Sequence, residues 1–219
     1  VNLEPPRTRV KRLPEKQSRD PAALAAILAA GTVAHVAVVD GGWPHVLPVA
    51  YAPWRDGIVL HGSSASRLFR LLATGVPTCA TITLLDGVVL ARSAFESSME
   101  YRCAMLFGTS VALTGADKAR AFADLTEHLL PGRWEHIRHP SAQEDKATAL
   151  LHLTPSTWSV KVSAGFADEP PADLAQRAAT WSGRIPLGTR AGTPVPDPTS
   201  AQLGTAVPVH IAAMLGSLG

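Results

Sequence analysis

The chain has 219 residues, enough to bury a sizeable core in one domain of ordinary size. Only 17% of the residues are charged against 46% hydrophobic, and 20 basic side chains face 18 acidic ones for a net charge of +2. That composition excludes a disordered chain, and with no dense Lys/Arg stripe it argues against a nucleic-acid or anionic-membrane surface.

Residues 1–19 are polar, basic and proline-punctuated, with no apolar run behind them. They read as an arm on the body or on a partner subunit, not as a signal peptide. No window approaches the roughly 18 uninterrupted apolar residues of a spanning helix, so no membrane partner is expected. Cys79 and Cys103 are too few for a disulfide framework and lie in no metal-spaced cluster. Reduced thiols and a cytoplasmic location are the expectation.

Asp20-Pro21 supplies a helix start, Asp as N-cap and Pro at the first helical position. An alanine-rich run follows and Gly31 stops it. Residues 32–40 are β-branched and end at Gly41-Gly42, a hairpin signal, with 44–52 as the return strand. Pro48 cannot donate to a ladder, which predicts an edge, a bulge or a ligand-facing position there. A strand at 57–62 and a helix at 63–74 come next. Two strands then flank Asp86-Gly87, read as another hairpin turn, and a long strand at 101–114 bends at Gly108. A helix from about 117 to 130, a weakly helical 141–148 and two strand pieces within 149–163 complete the pattern.

Roughly seven strands joined by tight turns, with two or three helices, predict a mainly β, α+β fold. Antiparallel strands closing into a barrel fit best, because closure removes exposed edges. The domain is expected to span 20–166. Beyond it Pro, Gly, Ala and Thr dominate, so 167–219 read as an irregular extension packed on the barrel at Trp181, Ile185 and Pro186.

The run His61-Gly62-Ser63-Ser64-Ala65-Ser66-Arg67 carries the clearest chemistry. A strand ends in histidine, drops into a hydroxyl-rich turn and opens a helix with arginine. Such a joint offers backbone N–H groups, hydroxyl donors and a guanidinium fork to a phosphate. A capped helix with a solvated arginine is the plainer alternative. The run lacks the Gly-Lys-[Ser/Thr] ending of a P-loop and the spacing of a dinucleotide fingerprint. His61 can act as acid/base or as a hydrogen-bonded structural residue. His136-x-x-His139 has no third ligand in the sequence, so no metal site is expected. The polar insert at 90–103 either lines a cleft or pairs Glu96 and Glu100 with Arg92 and Arg102.

Taken in order, Pro44-His45-Val46-Leu47-Pro48, "LHGSSASR", "TLLDGVVLARSAF", "YRCAMLFG", "LLPGRW" and "WSGRIPL" resemble one family over residues 9–188. It is that of the pyridoxamine 5′-phosphate oxidase-like flavoproteins, nearest its nitroimidazole-resistance and flavin-nucleotide-binding group. The resemblance implies a split β-barrel homodimer with FMN held at the subunit interface. Val46, Leu47, Pro48 and Val49 match the strand against the isoalloxazine ring, and His61 and Gly62 match the end of the next strand. Ser66 and Arg67 match the phosphate-binding pair, with Ser64 beside them. Arg102 and Cys103 match residues reaching the cofactor from the partner subunit. Trp181 matches the aromatic residue of the late Trp-x-Gly motif.

This chain departs from the pattern at Glu96-Ser97, where relatives carry two histidines, and at Cys103 and Ser163, where they carry serine and arginine. Leu68 replaces a second basic residue, which argues against a phosphorylated substrate. The expectation is an FMN-dependent oxidoreductase acting on a small molecule, with His61 catalytic and Arg92 and Glu96 in the substrate pocket. The alternatives are a flavin-binding or storage protein without turnover, or a divergent barrel using haem, deazaflavin or no cofactor. His61 and His45 are the candidate haem ligands.

Overall fold

The computed structural model describes residues 8–217. Residues 1–7 of the expected arm and 218–219 of the expected extension lie outside the described residues. The rest of the arm makes one 3-10 turn and a two-residue strand, β1 (Gln17–Ser18), antiparallel to β7 (Thr148–Ser163). Gln17 and Ser159 hold it by donating side-chain hydrogen bonds to the Thr8 carbonyl, at 2.8 and 3.0 Å. Helix α1 (Pro21–Ala30) starts as expected, the Asp20 carboxylate accepting the Ala22 N–H at 2.9 Å. It buries Ile27 and Leu28, and the Tyr51 hydroxyl donates to the Leu28 carbonyl at 2.9 Å.

The main strands are β2 (Val33–Asp40), β3 (Trp43–Trp54), β4 (Gly57–Ser63), β5 (Thr78–Leu90), β6 (Ser98–Ala112) and β7. Helix α2 (Arg67–Leu72) separates β4 from β5, while α3 (Gly115–Leu129) and α4 (Ala142–Ala147) separate β6 from β7. Pairing runs β7-β4-β3-β2-β5-β6, and β6 pairs in turn with β7. The result is an α+β fold, mostly strand with helices outside, consistent with the split-barrel expectation.

Alternation along each strand sorts the side chains into layers. Val36, Val49, Tyr51, Ile58, Leu60, Ile82, Leu106 and Leu153 are buried in the central core. The opposite-facing Ala52, Trp54, Val59 and Leu150 form a second cluster with Ala121 and Leu125 of α3. Two glycines let the backbones approach closely around β7. A Cβ on Gly57 would run into the Leu153 carbonyl, and one on Gly108 into the Thr154 carbonyl.

Three expectations are corrected. Asp86-Gly87 is not a hairpin turn: both halves of β5 stay on β6, with a register shift between Leu85 and Gly87, so the step is a bulge. The reversal comes at 93–97 instead, where the Ser93 carbonyl accepts the Ser97 N–H and hydroxyl at 3.2 and 2.9 Å. Residues 149–163 form one strand and not two pieces, because the irregularity at Pro155 lies opposite the register shift at Phe107/Gly108. The C-terminal extension is not irregular throughout. It carries α5 (Pro171–Gln176), β8 (Gly183–Pro186), α6 (Pro198–Leu203) and α7 (Val209–Ser217). Strand β8 pairs with Gly87–Leu90 of β5, so Ile185 and Pro186 anchor through the ladder and not through burial.

Gly57→Ala should destabilise the protein by about 2–4 kcal/mol, the range for forcing atoms into a filled position. Gly188→Ala, with open space around it, should change stability by less than about 0.5 kcal/mol. Urea denaturation of both variants tests the contrast.

Candidate functional site

Strands β3 and β4 pair only from Tyr51↔Leu60 to Trp54↔Gly57. Beyond that point they part company. From Trp43 to Ala50, β3 pairs with β2 alone, while His61, Gly62 and Ser63 pair with Leu150, Ala149 and Thr148 of β7. A wedge therefore opens between the free edge of β3 and the end of β4, and α2 leaves from its rim. Pro48 lies on this free edge, where a missing N–H costs no ladder bond.

Val46 and Pro48 point outward, Val46 with 59% of its surface exposed, while Val49 is buried in the core. Leu47 shares the face of Val49 but stays partly exposed at the wedge. At the rim, the Ser64 hydroxyl donates to the Lys146 and Ala147 carbonyls at 3.2 and 3.0 Å, so its proton ties the turn to the end of α4. The Ser66 side chain makes no capping bond.

The Arg67 side chain is 71% exposed and engages one oxygen of Asp40, from Nε at 2.6 Å and from Nη2 at 2.5 Å. This pair bridges the start of α2 to the β2–β3 turn and leaves Nη1 to meet an anion. Asp40 was not singled out in the sequence, where it reads only as the residue before a Gly-Gly turn.

His61 stands at the other side of the wedge, half-buried, its ring edge-on to Phe122 of α3 at 5.8 Å. Phe122 packs in turn on Trp134 at 6.1 Å, and Trp134 stacks on His139 at 4.2 Å. Burial lowers the His61 pKa below the ordinary imidazole value, so the neutral ring is favoured. Gly62 lies flat under Phe69, whose ring occupies the place a Cβ would take. His45 is half-buried on β3, opposite Val38.

The remaining expected residues lie elsewhere in the chain. Arg102 and Cys103 are on β6, which pairs with β5 and β7 and with neither of the strands that bound the wedge. Arg102 holds Asp86 in a bidentate pair at 2.9 and 2.8 Å, which lowers the Asp86 pKa. The Cys103 thiol accepts from Thr83 at 3.6 Å.

Arg92, Glu96 and Trp181 belong to the far end of β5 and the C-terminal extension. Arg92 is bound through Nη1 to Glu169 at 2.7 Å, and Glu169 also accepts from the Arg92 backbone and Ser182. Glu100 accepts from the Gly165 N–H at 2.9 Å and pairs with Arg184 at 3.2 Å. Neither expected pairing of Arg92 or Arg102 with Glu96 or Glu100 forms, because partners from the bulge and the extension reach them first. Glu96 sits in the 93–97 turn, its N–H donating to the Ser93 hydroxyl. Trp181 is 64% exposed and rests on Gly183.

The outward faces of β2, β3, β5 and β6 expose Val33, Val39, Val46, Leu85 and Met105. A groove of about 860 Å³ crosses this face, lined in part by Val39, Pro44, Cys79, Phe107 and Pro155. Among the described residues no group of three or more His, Cys, Asp or Glu side chains is arranged to hold a metal ion.

Residues 20–162 match the family described as pyridoxamine 5′-phosphate oxidase. The chain belongs to this family. Two solved structures resemble it over nearly the whole length. The FAD and heme binding protein from Mycobacterium smegmatis is 38% identical, with 91% of this chain and 97% of that one covered and a TM-score of 0.86. The flavocytochrome Anf3 from Azotobacter vinelandii is 35% identical, with 94% and 95% covered and a TM-score of 0.86. A candidate 5-nitroimidazole antibiotic resistance protein from Bacteroides thetaiotaomicron shares the fold at 19% identity and a TM-score of 0.55, with 67% and 86% covered. No curated protein matches the chain.

Because the fold favours neutral His61, its contribution to stability is complete above about pH 6.5 and is lost as the pH falls through that value. An NMR titration should put the His61 midpoint below 6.5, and His61→Gln should flatten the loss of stability between pH 7.5 and 5. A midpoint above the ordinary value contradicts this burial.

Proposed function

We propose that this chain is a homodimeric flavin redox protein that holds FAD and carries haem as a second group. The observation behind this reading is the 38% identity, over 91% of this chain and 97% of the other, to a protein described as binding FAD and haem. The second relative, described as a flavocytochrome, points the same way. In this reading FAD takes the place of the FMN expected from the sequence.

The residues around the wedge suit a flavin nucleotide. Arg67 offers a guanidinium with one edge turned from Asp40, and the free edge of β3 offers unpaired backbone groups beside Val46 and Pro48. The exposed apolar face of β2, β3, β5 and β6 suits a second copy of the chain. A partner docked there would bring its own Arg102 and Cys103 toward a wedge that they do not reach within one protomer. His61, held neutral, and His45 supply the imidazole nitrogens that haem iron takes. The flavin would supply hydride or single-electron chemistry, and haem single-electron transfer. The chain's own part is to bind the phosphate end, flank the ring and keep His61 unprotonated.

A second reading, an FMN oxidoreductase acting on a small molecule, is favoured by one observation: a half-buried neutral His61 at the wedge. In that case His61→Ala keeps the flavin and loses turnover. No described helix is long and apolar enough to cross a membrane, and a cytoplasmic setting is part of the proposal.

The decisive experiment is an absorption spectrum of the purified protein, followed by denaturing extraction. A Soret band together with extracted FAD supports the reading; FMN without a Soret band returns the second one. Arg67→Ala should lower flavin affinity about tenfold or more, the scale of a lost charge-assisted contact. Arg120→Ala, on the exposed side of α3, should leave flavin content unchanged. Equal flavin content in the two variants removes Arg67 from the phosphate site.

A further inference from the structure

The C-terminal helix α7 meets the body through an imidazole stack. The rings of His136, in the 3-10 turn after α3, and His210, in α7, lie parallel at 10° with centroids 4.2 Å apart. Arg133 Nη1 donates a long hydrogen bond to His210 Nε2, at 3.4 Å. Gly132 lies beneath, where a Cβ would be 3.3 Å from the His210 Cβ.

We propose that His136 and His210 form a pH-sensitive latch, holding α7 on the body while the His210 ring is neutral and releasing it on acidification. The chemistry follows from the donors and acceptors present. A guanidinium has no acceptor, so the Arg133 contact requires an unprotonated Nε2 on His210. Protonation removes that acceptor, faces one cation with another and sets a charged ring against His136. Glu127 is the acidic group facing the stack. Its two carboxylate oxygens already accept the Gly132 and Trp134 N–H groups at 2.7 and 2.8 Å.

The direction of titration agrees with this geometry. The His210 pKa is lowered by burial first, then by the charges of His136 and Arg133, with Glu127 opposing. Docking is therefore complete above the ordinary imidazole value of about 6.5 and is lost as the pH falls through it. A helix of 9 residues does not hold its shape alone in water, so release also unwinds it. His136 shares its 3-10 turn with Trp134, which packs on Phe122 and through it on His61.

Hydrogen exchange of the full chain, followed in peptides covering 205–217 and corrected for the intrinsic pH dependence of exchange, tests the latch. Protection of these peptides should fall by at least about threefold between pH 7.5 and 5.5. In His210→Gln, which cannot titrate, protection should no longer change between the two pH values. In His136→Phe, which keeps a ring to stack upon, the change should be shallower. Equal protection of the parent chain at both pH values overturns the latch, as does an undiminished pH response in either variant.

Discussion

Everything at the candidate site depends on where two backbones stop hydrogen-bonding to each other. Strands β3 and β4 share four register pairs, and then β3 continues with β2 while β4 continues with β7. Buried backbone groups must find partners. A strand edge left free in an otherwise paired sheet is therefore a place for a ligand, another chain or water. In this protein the free edge carries the proline that could not have donated there. His61 and the Ser-rich turn stand across from it, so one change of pairing partner assembles a cleft from three sequence segments.

Guanidinium groups across the molecule are arranged in pairs that no sequence segment announces. Arg67 meets Asp40, Arg102 meets Asp86, Arg92 meets Glu169 and Arg184 meets Glu100. Two of these carboxylates sit at backbone irregularities, the β2–β3 turn and the β5 bulge. The other two clamp the C-terminal extension to the end of β5 and the start of β6. The exposed pairs add little to stability in water. Their effect is to orient guanidinium groups, and at Arg67 this leaves Nη1 outside the pair.

Local chemistry was legible where it is self-contained. The Asp20-Pro21 start of α1, the Gly41-Gly42 turn and the Ser-Arg opening of α2 each depend on neighbouring residues alone. The Asp86-Gly87 step was misread because a bulge and a hairpin turn share the same residues. Only the partner strand decides between them, and β6 stays paired on both sides. Residues 149–163 read as two strand pieces for a similar reason: the irregularity at Pro155 is absorbed opposite Gly108 on the neighbouring strand, which lies far away in sequence. The extension looked irregular because its one strand has four residues and becomes a strand only by borrowing the edge of β5.

The class of fold, the family and the Ser-Arg opening of α2 are legible in the sequence alone, because alternation, turn residues and motif order are properties of short segments. The tertiary structure decided which arginines carry a carboxylate partner, that His61 rests half-buried against Phe122, and that Arg102 and Cys103 lie on a strand that pairs with neither edge of the wedge. Those facts depend on contacts between residues distant in sequence. A contact of that kind exists only once the strands have chosen their neighbours.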